Sequence, residues 1–431
     1  MSKQIKSACY SAIAIGAMCT MAWWASAPLH TSVDAATGVK YVQLYNATPS
    51  PSWSPNGKFL AFHDLRFPKR GTKLLLKPSP TSYVRYLKRS SPGGYKRFVA
   101  RYRARILRQS SPSLKFLGDS HRYSHVSVLN VGNMKRSWLA MKKLKSTTPS
   151  STAYFHPKWA NDNLLVTGSS FGNKGGLFIF PNGPKKQLPG LSVPTFGQSG
   201  RLIIGRQHQT GVFIAHVDAP DTFYAVVDER TKIRGIFPSF SPDGKKLAWI
   251  DAGTYYNAAP LKVFSVPFKA ENLKSQATIW AKDPWSYRRK KHKALRVNTL
   301  KTPKTKRVVE FVWAQDSSTI AYVKGTRYRG YSNYQYGPRG LYLFKLGDKT
   351  SRLIDEKGKN PSFAPNGDVY YDRNNDGIWR WDAKTGKSAQ LLKKGEEPRV
   401  SPDGKHLAFL LWKPKRRRYR SKLYLGIKTL K

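Results

Sequence analysis

A short pattern of apolar and polar positions recurs along the chain. An apolar residue is followed by Ser or Ala, Pro, Asp or Asn, Gly and Lys, and then, after one further residue, by an apolar residue, Ala and an aromatic residue. The copies at Ser52, Ser239 and Arg399 match this consensus most closely. Seven copies can be aligned in all, beginning at Ser52, Tyr154, Pro194, Ser239, Phe311, Ser362 and Arg399. Such a repeat predicts an architecture built from similar units.

Each copy has the chemistry of a β-hairpin. Proline presets φ for the first turn position, Asn or Asp tolerates the second, and Gly adopts the left-handed conformation of the third. The apolar, Ala, aromatic alternation that follows is typical of a half-buried strand. Four copies are followed by a further strand-like segment, at 176–180, 211–217, 340–346 and 377–382. Units of three or four strands that start about 37 to 50 residues apart predict an all-β, seven-bladed β-propeller, with six or eight blades as alternatives.

The two ends of the repeat predict how the ring of blades closes. Only one strand-like segment, 422–428, follows the last copy, whereas 39–45 alternates like a strand before the first copy. We expect 39–45 to be the outer strand of the last blade, because closure removes free sheet edges.

The repeat resembles that of TolB-type β-propellers, a WD40-like group whose hallmark is a Ser-Pro-Asp-Gly-Lys turn followed by Leu-Ala-Phe. The resemblance covers about residues 40–431 and is strongest at 54–62, 241–249 and 401–409. It implies a periplasmic or extracellular propeller of six to eight blades that binds partners on its faces or at its central channel. The helical N-terminal domain of that family has no counterpart before Trp53, so a role in a Tol envelope complex is not implied.

The N-terminal segment predicts export. Lysines precede a weakly apolar run at 8–25, and small residues offer cleavage after Ala27 or after Ala35. We assign residues 1–35 to a signal peptide and 39–431 to the propeller, and we expect a periplasmic or extracellular protein. The alternative is that the leader stays as an N-terminal membrane anchor.

The chain is strongly basic, with 76 Lys and Arg against 24 Asp and Glu and a formal net charge of +52. Two insertions, 66–122 and 282–307, and a loop at 413–422 together hold 34 of the 76 basic residues. Such clusters attract polyanions. The shortage of acids along the whole chain also fits a protein that faces an acidic habitat. Nucleic acid is expected to bind only non-specifically, because the protein is exported.

The first insertion contains a predicted amphipathic helix at 95–109, with Phe98, Tyr102 and Ile106 along one side. The helix either attaches to an anionic membrane or polymer, or packs its apolar side on the propeller. The candidate residues for binding a polyanion or a protein partner are basic residues of this helix and of the other two basic segments. They are Arg97, Arg101, Arg103, Arg105, Arg108, Arg288, Arg289, Lys290, Lys291, Arg416, Arg417 and Arg418.

A further segment, 327–339, alternates tyrosine with arginine and glycine. Its candidate residues are Arg327, Tyr328, Arg329, Tyr331 and Tyr334. Aromatic rings beside guanidinium groups suit stacking on bases or sugars. The alternative is a flexible, solvated loop.

No catalytic or cofactor motif emerges. GSSFG at 168–172 has the spelling of a nucleophile elbow, but it lies between two predicted strands, whereas the elbow needs a strand followed by a helix. DRNNDG at 372–377 resembles the first half of a calcium loop, but Ala383 stands where a bidentate Glu is required. We expect ordinary turns at both places, and neither a cofactor nor a metal ion. Cys9 and Cys19 both lie in the leader, so the propeller has no disulfide.

The histidines form no recognisable metal motif. His121 and His125 have the spacing of two metal ligands on one face of a helix, but they flank a predicted strand. A hidden metal site at the channel would need several histidines from distant parts of the chain to converge. The candidates are His63, His156, His208, His216 and His406.

The predicted function is an exported, non-catalytic scaffold that binds a protein partner or an anionic polymer of the envelope through its faces and basic insertions. Peripheral contact with an anionic membrane is a further expectation. The alternative is a propeller-fold lyase or hydrolase that acts on an acidic polysaccharide. The sequence indicates no oligomeric state.

Overall fold

The computed structural model describes residues 31–44, 51–66, 90, 91, 93, 96, 97, 123–139, 154–169, 174–189, 191–207, 211–228, 235–251, 260–267, 269–273, 280–281, 295–301, 308–328, 335–374, 376–413 and 422–430. Nearly all of the regular structure in these residues is β-strand, with one turn of 3-10 helix at Ala270–Asn272. Lys96 and Arg97, in the predicted helix, have helical backbone and exposed side chains. Within the described ranges, no helix has both the length and the apolar character needed to cross a bilayer.

The strands are short and follow one another closely along the chain. In the first half of the chain they are β1 (Thr31–Asp34), β2 (Val39–Leu44), β3 (Ser52–Trp53), β4 (Phe59–Arg66), β5 (Tyr123–Asn130), β6 (Arg136–Leu139), β7 (Tyr154–Trp159), β8 (Leu164–Ser169), β9 (Lys174–Ile179), β10 (Gly183–Pro189), β11 (Leu191–Gly197), β12 (Leu202–Gln207), β13 (Gly211–His216) and β14 (Ala219–Asp228). In the second half they are β15 (Gly235–Phe240), β16 (Lys246–Asp251), β17 (Leu261–Ser265), β18 (Trp280–Ala281), β19 (Leu295–Thr299), β20 (Val308–Trp313), β21 (Thr319–Tyr328), β22 (Gln335–Lys345), β23 (Arg352–Asp355), β24 (Gly358–Phe363), β25 (Val369–Arg373), β26 (Ile378–Trp381), β27 (Ser388–Leu392), β28 (Glu396–Val400), β29 (His406–Lys413) and β30 (Lys422–Thr429).

These strands form six sheets, which are the blades of a propeller. Blade 1 contains β3–β6, blade 2 contains β7–β10, blade 4 contains β20–β23 and blade 5 contains β24–β27, each in chain order. Blade 3 has nine strands and blade 6 has five. Every copy of the turn motif joins the first and second strands of a four-stranded unit. The seven predicted hairpins are therefore confirmed.

Blade 3 corrects the predicted number of blades. It consists of two four-stranded units, unit 3a (β11–β14) and unit 3b (β15, β16, β17 and β19), each with its own turn motif, and of the short strand β18, which pairs with β14. Strand β14 pairs in parallel with β19, from Val226 opposite Leu295 to Asp228 opposite Val297. This pairing merges two units into one sheet, so the blades number six, within the predicted range, and the first expectation of seven is wrong. Strand β19 lies inside the segment 282–307, which the sequence indicated as an insertion.

Blade 6 closes the ring with strands from both ends of the chain. Its order is β1-β2-β30-β29-β28, and β2 pairs with β30 from Lys40 opposite Ile427 to Leu44 opposite Leu423. The prediction that 39–45 adds a strand to the last blade and closes the ring is therefore confirmed, whereas the outermost strand is β1 and not β2. Strand β1, which falls within the predicted leader 1–35, adds a fifth strand outside β2.

The apolar core is divided among the interfaces between neighbouring units. Seven clusters of buried residues lie around the ring in the described part of the chain, and each contains side chains from two adjacent units. In β29, for example, Phe409 packs toward blade 5 and Leu410 toward blade 1. Both faces of such a strand are covered, so its consecutive residues are all buried. Burial between the blades therefore takes the place of a single central core.

A hydrogen bond from tryptophan to the preceding unit recurs around the ring. The indole N–H of Trp53 in blade 1 donates to the carbonyl oxygen of Arg399 in blade 6 at 2.7 Å. Trp159 donates in the same way to Ser52 at 3.0 Å, and Trp313 to Ser239 at 3.4 Å. In each case the tryptophan occupies the apolar position just before the turn. These bonds link the innermost strands of adjacent units.

Replacing Trp53 by Phe is expected to lower the free energy of unfolding by about 1–2 kcal/mol, because the buried carbonyl oxygen of Arg399 loses its donor. Chemical denaturation followed by tryptophan fluorescence measures the change. Trp412→Phe is the matched control, since Trp412 is 39% exposed at the end of β29, and we expect it to change stability by less than about 0.5 kcal/mol. Equal effects of the two substitutions would contradict a role for the hydrogen bond.

Candidate functional site

The first strands of the units enclose a central cavity of about 870 Å³. Its lining comes from β7, β11, β15, β20, β24 and β28, together with parts of the turns that follow them. The cavity is thus the channel along the propeller axis. It is polar in part, and several of its charged side chains lie close together. This channel is the candidate site.

A β-bulge in most of the inner strands places two nearby positions of the strand in the channel. The register of five inner strands shifts at an X-Pro pair, for example between Lys359 and Ser362 in β24 and between Glu396 and Arg399 in β28. Of the residues before the proline, Phe237, Asn360 and Glu397 have φ between 52° and 53°. A bulge re-aims side chains that would otherwise alternate between the faces of the sheet.

The bulges define two rings of channel residues. The mouth ring is formed by the residues that precede the proline in each inner strand, and it includes Phe237, Glu310, Asn360 and Glu397. In blade 4, Phe311 takes the place of the proline. The inner ring is formed by the residues that follow the proline position, and it includes Lys158, Thr195, Ser239, Val312, Ser362 and Arg399. The side chain of His156, which belongs to the mouth position of blade 2, lies outside the described residues.

Three carboxylates meet at the mouth ring. The backbone N–H of Asn360 donates to Glu310 Oε2 at 3.1 Å, and its side-chain amide donates to Asp372 Oδ2 at 2.8 Å. The backbone N–H of Glu397 donates to the same Asp372 oxygen at 2.7 Å. Lys359 Nζ lies 3.4 Å from Asp372 Oδ1. Asp372 therefore has an ionic partner and two donors, whereas Glu310 receives one backbone donor.

Burial raises the pKa of all three carboxyl groups at the mouth. It raises the pKa of Glu310 to about 7; Arg399 and the Asn360 N–H oppose this rise, and Asp372 and Glu397 add to it. Burial also raises the pKa of Asp372 and of Glu397, against the opposing effect of Lys359 on the first and of Arg399 on the second. Glu310 therefore changes its charge near neutral pH.

Lys158 and Arg399 bring positive charge to the inner ring. Both side chains are half-buried, and both line the cavity. Burial and, second to it, repulsion from Arg399 lower the pKa of Lys158 to about 8, while Glu310 acts in the opposite direction. The two cations are thus close enough to repel each other, and Glu310 lies close enough to attract Lys158.

The two faces of the propeller differ in the segments that they carry. Because the strands of each unit are antiparallel, alternate connections lie on opposite faces. The turn motifs, such as those at 54–57, 241–244 and 401–404, lie on the turn face. The connections from the second to the third strand of each unit lie on the other, the loop face. The inner strands run from the loop face to the turn face, so the mouth ring lies at the loop-face end of the channel.

Three of the segments that the sequence analysis singled out attach to the loop face. Residues 67–122 connect β4 to β5, residues 329–334 connect β21 to β22, and residues 414–421 connect β29 to β30. The basic residues at 282–294 instead lie between β18 and β19, in the connection from the third to the fourth strand of unit 3b, so strand order does not place them with the others.

The fold has a counterpart among solved structures. The crystal structure of the Cps50 (Swd1) β-propeller domain of Myceliophteria thermophila superposes with a TM-score of 0.51 and 9% sequence identity, over 90% of this chain and 98% of that chain. The fold is a WD40-like β-propeller. No protein-family profile matches the chain, and no curated protein sequence does. At this level of identity the likeness concerns the fold alone, and the TolB type of the repeat stays a prediction.

Most of the basic residues predicted for binding fall outside the described part of the propeller. Arg97 is described and exposed, whereas the other predicted residues of the helix, of 288–291 and of 416–418 are not described. In the tyrosine-rich segment, Arg327 and Tyr328 belong to β21, where they pair with Tyr336 and Gln335 of β22. Arg329, Tyr331 and Tyr334 lie outside the described residues.

The described histidines do not meet in the channel. His63 is buried in blade 1, His216 ends β13 beside Asp218, and His406 stacks on Trp53 with ring centroids 6.1 Å apart. Over the described ranges, no group of three His, Cys, Asp or Glu residues has the geometry to hold a metal ion. The side chain of His156 and the whole of His208 are not described.

The two motif-like turns are now placed in hairpins. Residues 168–172 lie where β8 leads into the antiparallel β9, and 372–377 joins β25 to β26. Asp372 itself belongs to β25, where it accepts hydrogen bonds from Asn360 and Glu397, while Asp376 lies 3.6 Å from Arg373. Residues 170–173 and 375 lie outside the described residues.

The channel residues themselves were missed at the sequence level. The available signal was a second proline, two residues before the apolar position of the motif, as in Asn360-Pro361 and Glu397-Pro398. Proline in a strand marks an edge or a bulge. Reading this position along all copies would have pointed to Glu310, Asn360 and Glu397 as one ring.

Proposed function

We propose that this propeller is an exported, non-catalytic binding scaffold that holds an anionic polymer or a protein partner of the envelope on its loop face. The observation that carries the proposal is the attachment of three basic or tyrosine-rich segments, 67–122, 329–334 and 414–421, to that one face. The rigid ring of blades supports them, and their charge attracts polyanions over long range. The export leader supports a periplasmic or extracellular location.

The experiment compares the loop face with the turn face at equal charge. The triple substitution Arg416→Gln, Arg417→Gln, Arg418→Gln removes three charges from a loop-face segment. The matched control, Lys58→Gln, Lys245→Gln, Lys405→Gln, removes three exposed charges from the turn face. Retention on immobilised heparin and on immobilised polyglutamate is measured against salt concentration for each protein.

We expect the loop-face triple variant to weaken binding and to reduce the slope of log K against log salt by about three, because three ion pairs with the polymer are lost. The turn-face triple variant should behave as the original chain. Equal losses in the two variants would show binding by net charge alone and would overturn the proposal. The same follows if the unmodified protein is not retained at physiological salt.

A further inference from the structure

The central channel has the features of a small-molecule site that does not depend on the basic segments. It is enclosed by the inner strands of a rigid ring, its volume is about 870 Å³, and binding pockets of about 300–1,000 Å³ are typical for small ligands. The lining includes cations, carboxyl groups, hydroxyl groups and an aromatic ring, which together can fix the orientation of a polar ligand. The composition of the lining indicates the chemistry of that ligand.

Neither of the two inner-ring cations forms a direct ion pair in the described part of the chain, although Glu310 and Glu397 act on them over longer distances. Arg399 donates from Nη1 to the carbonyl oxygen of Pro398 at 2.9 Å, and neither Arg399 nor Lys158 forms an ion pair with a described carboxylate. By contrast, Lys359 at the mouth is paired with Asp372. Half-buried cations that lack a direct ion pair in a cavity favour an anion between them.

The neighbouring carboxyl groups restrict the charge of that anion. Glu310 and Glu397 line the same channel as the cations Lys158, Lys359 and Arg399, and the fully buried Asp372 lies behind the mouth ring. A dianion such as phosphate would be repelled by the three acids. A monoanion needs only one of these acids to be neutralised by a proton. Glu310 can take up that proton because its pKa is raised to about 7.

The rest of the lining favours a ligand with hydroxyl groups. Phe237 is 45% exposed at the mouth ring, so its ring is available for stacking on the apolar face of a sugar-like ring. Glu310 and Glu397 accept hydrogen bonds from hydroxyl groups when they are charged, and Glu310 can also donate one when it is protonated. Ser239 and Ser362 of the inner ring add further polar groups.

We propose that the channel binds a small hydroxylated monocarboxylate, with its carboxylate between Lys158 and Arg399 and its hydroxyl groups on the acids of the mouth ring. This site is separate from the loop-face segments of the proposed function. A short ligand that cannot bridge to those segments therefore tests it by itself.

Isothermal titration calorimetry of the full chain with D-glucuronate at pH 6.5 is the primary experiment. We expect saturable binding with one site per chain and no binding of D-glucose, which lacks the carboxylate. Lys158→Gln and Arg399→Gln should each weaken the affinity by about tenfold or more, as expected for the loss of one charge-assisted hydrogen bond. Lys405→Gln is the matched control, because it removes one exposed charge on the turn face and should leave the affinity unchanged.

The pH dependence gives a second, independent readout. Glu310 loses its proton with a pKa of about 7 and Lys158 with a pKa of about 8, and an anion binds best when both are protonated. The affinity should therefore fall as the pH rises from 6 to 9. The variant Glu310→Gln, which keeps an oxygen acceptor for Asn360, should remove the part of this fall that is centred near pH 7.

Three results would overturn the proposal. The first is the absence of saturable glucuronate binding by a chain that thermal melting shows to be folded. The second is equal loss of affinity in Lys158→Gln and Lys405→Gln. The third is inorganic phosphate binding as tightly as glucuronate, which would indicate an unspecific anion site. The proposed scaffold function is tested separately, by the retention of the loop-face variants on polyanions. A failure of that proposal can therefore be distinguished from a failure of the channel site.

Discussion

A chain that lacks residues 31–44 should fail to fold, whereas a chain that lacks only residues 31–34 should fold normally. Strand β2 carries four buried side chains, Val39, Tyr41, Val42 and Leu44. Val39 and Tyr41 pack toward blade 5, and Val42 and Leu44 toward blade 1. Each apolar side chain of this size contributes about 1.5–3 kcal/mol when fully buried. Together they approach the whole free energy of unfolding of an ordinary domain, about 5–15 kcal/mol.

The shorter truncation is the matched control. Among the described strands, β1 pairs with β2 alone, and its Val33 is 66% exposed. Removing β1 therefore uncovers little apolar surface. The longer truncation also leaves the edge of β30 unpaired, and an unpaired strand edge favours aggregation.

Near-ultraviolet circular dichroism and size-exclusion chromatography separate the outcomes. The chain that starts at Tyr45 should lose its near-ultraviolet signal and aggregate, while the chain that starts at Ala35 should keep a cooperative melt within a few degrees of the original. A cooperative, monomeric melt of the chain without β2 would mean that the ring does not depend on this closure.

Asp355→Ala should lower the free energy of unfolding by about 1.5–3 kcal/mol, because it removes a buried acceptor from the half-buried Arg373, which keeps the exposed Asp376, and from the buried Tyr371 hydroxyl group, which keeps its bond to Ser388. The Asp355 side chain is 4% exposed. Its Oδ2 accepts hydrogen bonds from Tyr371 OH at 2.9 Å and from Arg373 Nε at 2.9 Å, and Arg373 Nη2 contacts the same oxygen. Its Oδ1 accepts from the backbone N–H of Lys357 at 2.8 Å. Asp355 therefore links β23 to the neighbouring β25.

Asp376→Ala removes the other carboxylate of the same arginine. Asp376 lies 3.6 Å from Arg373 Nη1, and its side chain is 51% exposed, so solvent already screens the pair. We expect a loss below about 1 kcal/mol. Urea denaturation of the two variants and the original chain measures both values. Similar losses for Asp355→Ala and Asp376→Ala would contradict a special role for the buried pair.

The fold was largely predictable from the sequence, because the turn chemistry is local. Ser401, Asp403 and Gly404 show why: Ser401 Oγ accepts the backbone N–H of His406, Asp403 accepts that of Lys405, and Gly404 has φ 73°. The identities of the few residues in such a turn are enough to predict it. The closing strand β2 was predictable for a similar reason, since its alternation is visible before any partner is known.

The blade count and the site were not predictable in the same way, because they depend on pairing between distant segments. The parallel contact of Val226 with Leu295 joins residues on two different units, and nothing local in 295–299 specifies a parallel neighbour. The charged cluster joins Glu310, Asp372 and Glu397 from three units around the axis. Their proximity follows from the radial arrangement of the blades, which a linear pattern does not display.

The pairing of β2 with β30 also sets the order of events during synthesis. Strand β2 is synthesised before every other described strand except β1, and β30 is synthesised after all the other described strands. The ring therefore cannot close until β30 has been synthesised, and until then β2 remains an edge without its neighbour. Contacts of such long sequence separation form slowly. A circular permutant that joins residue 430 to residue 31 and opens a turn on the turn face would make this contact local, and it should fold faster into the same ring.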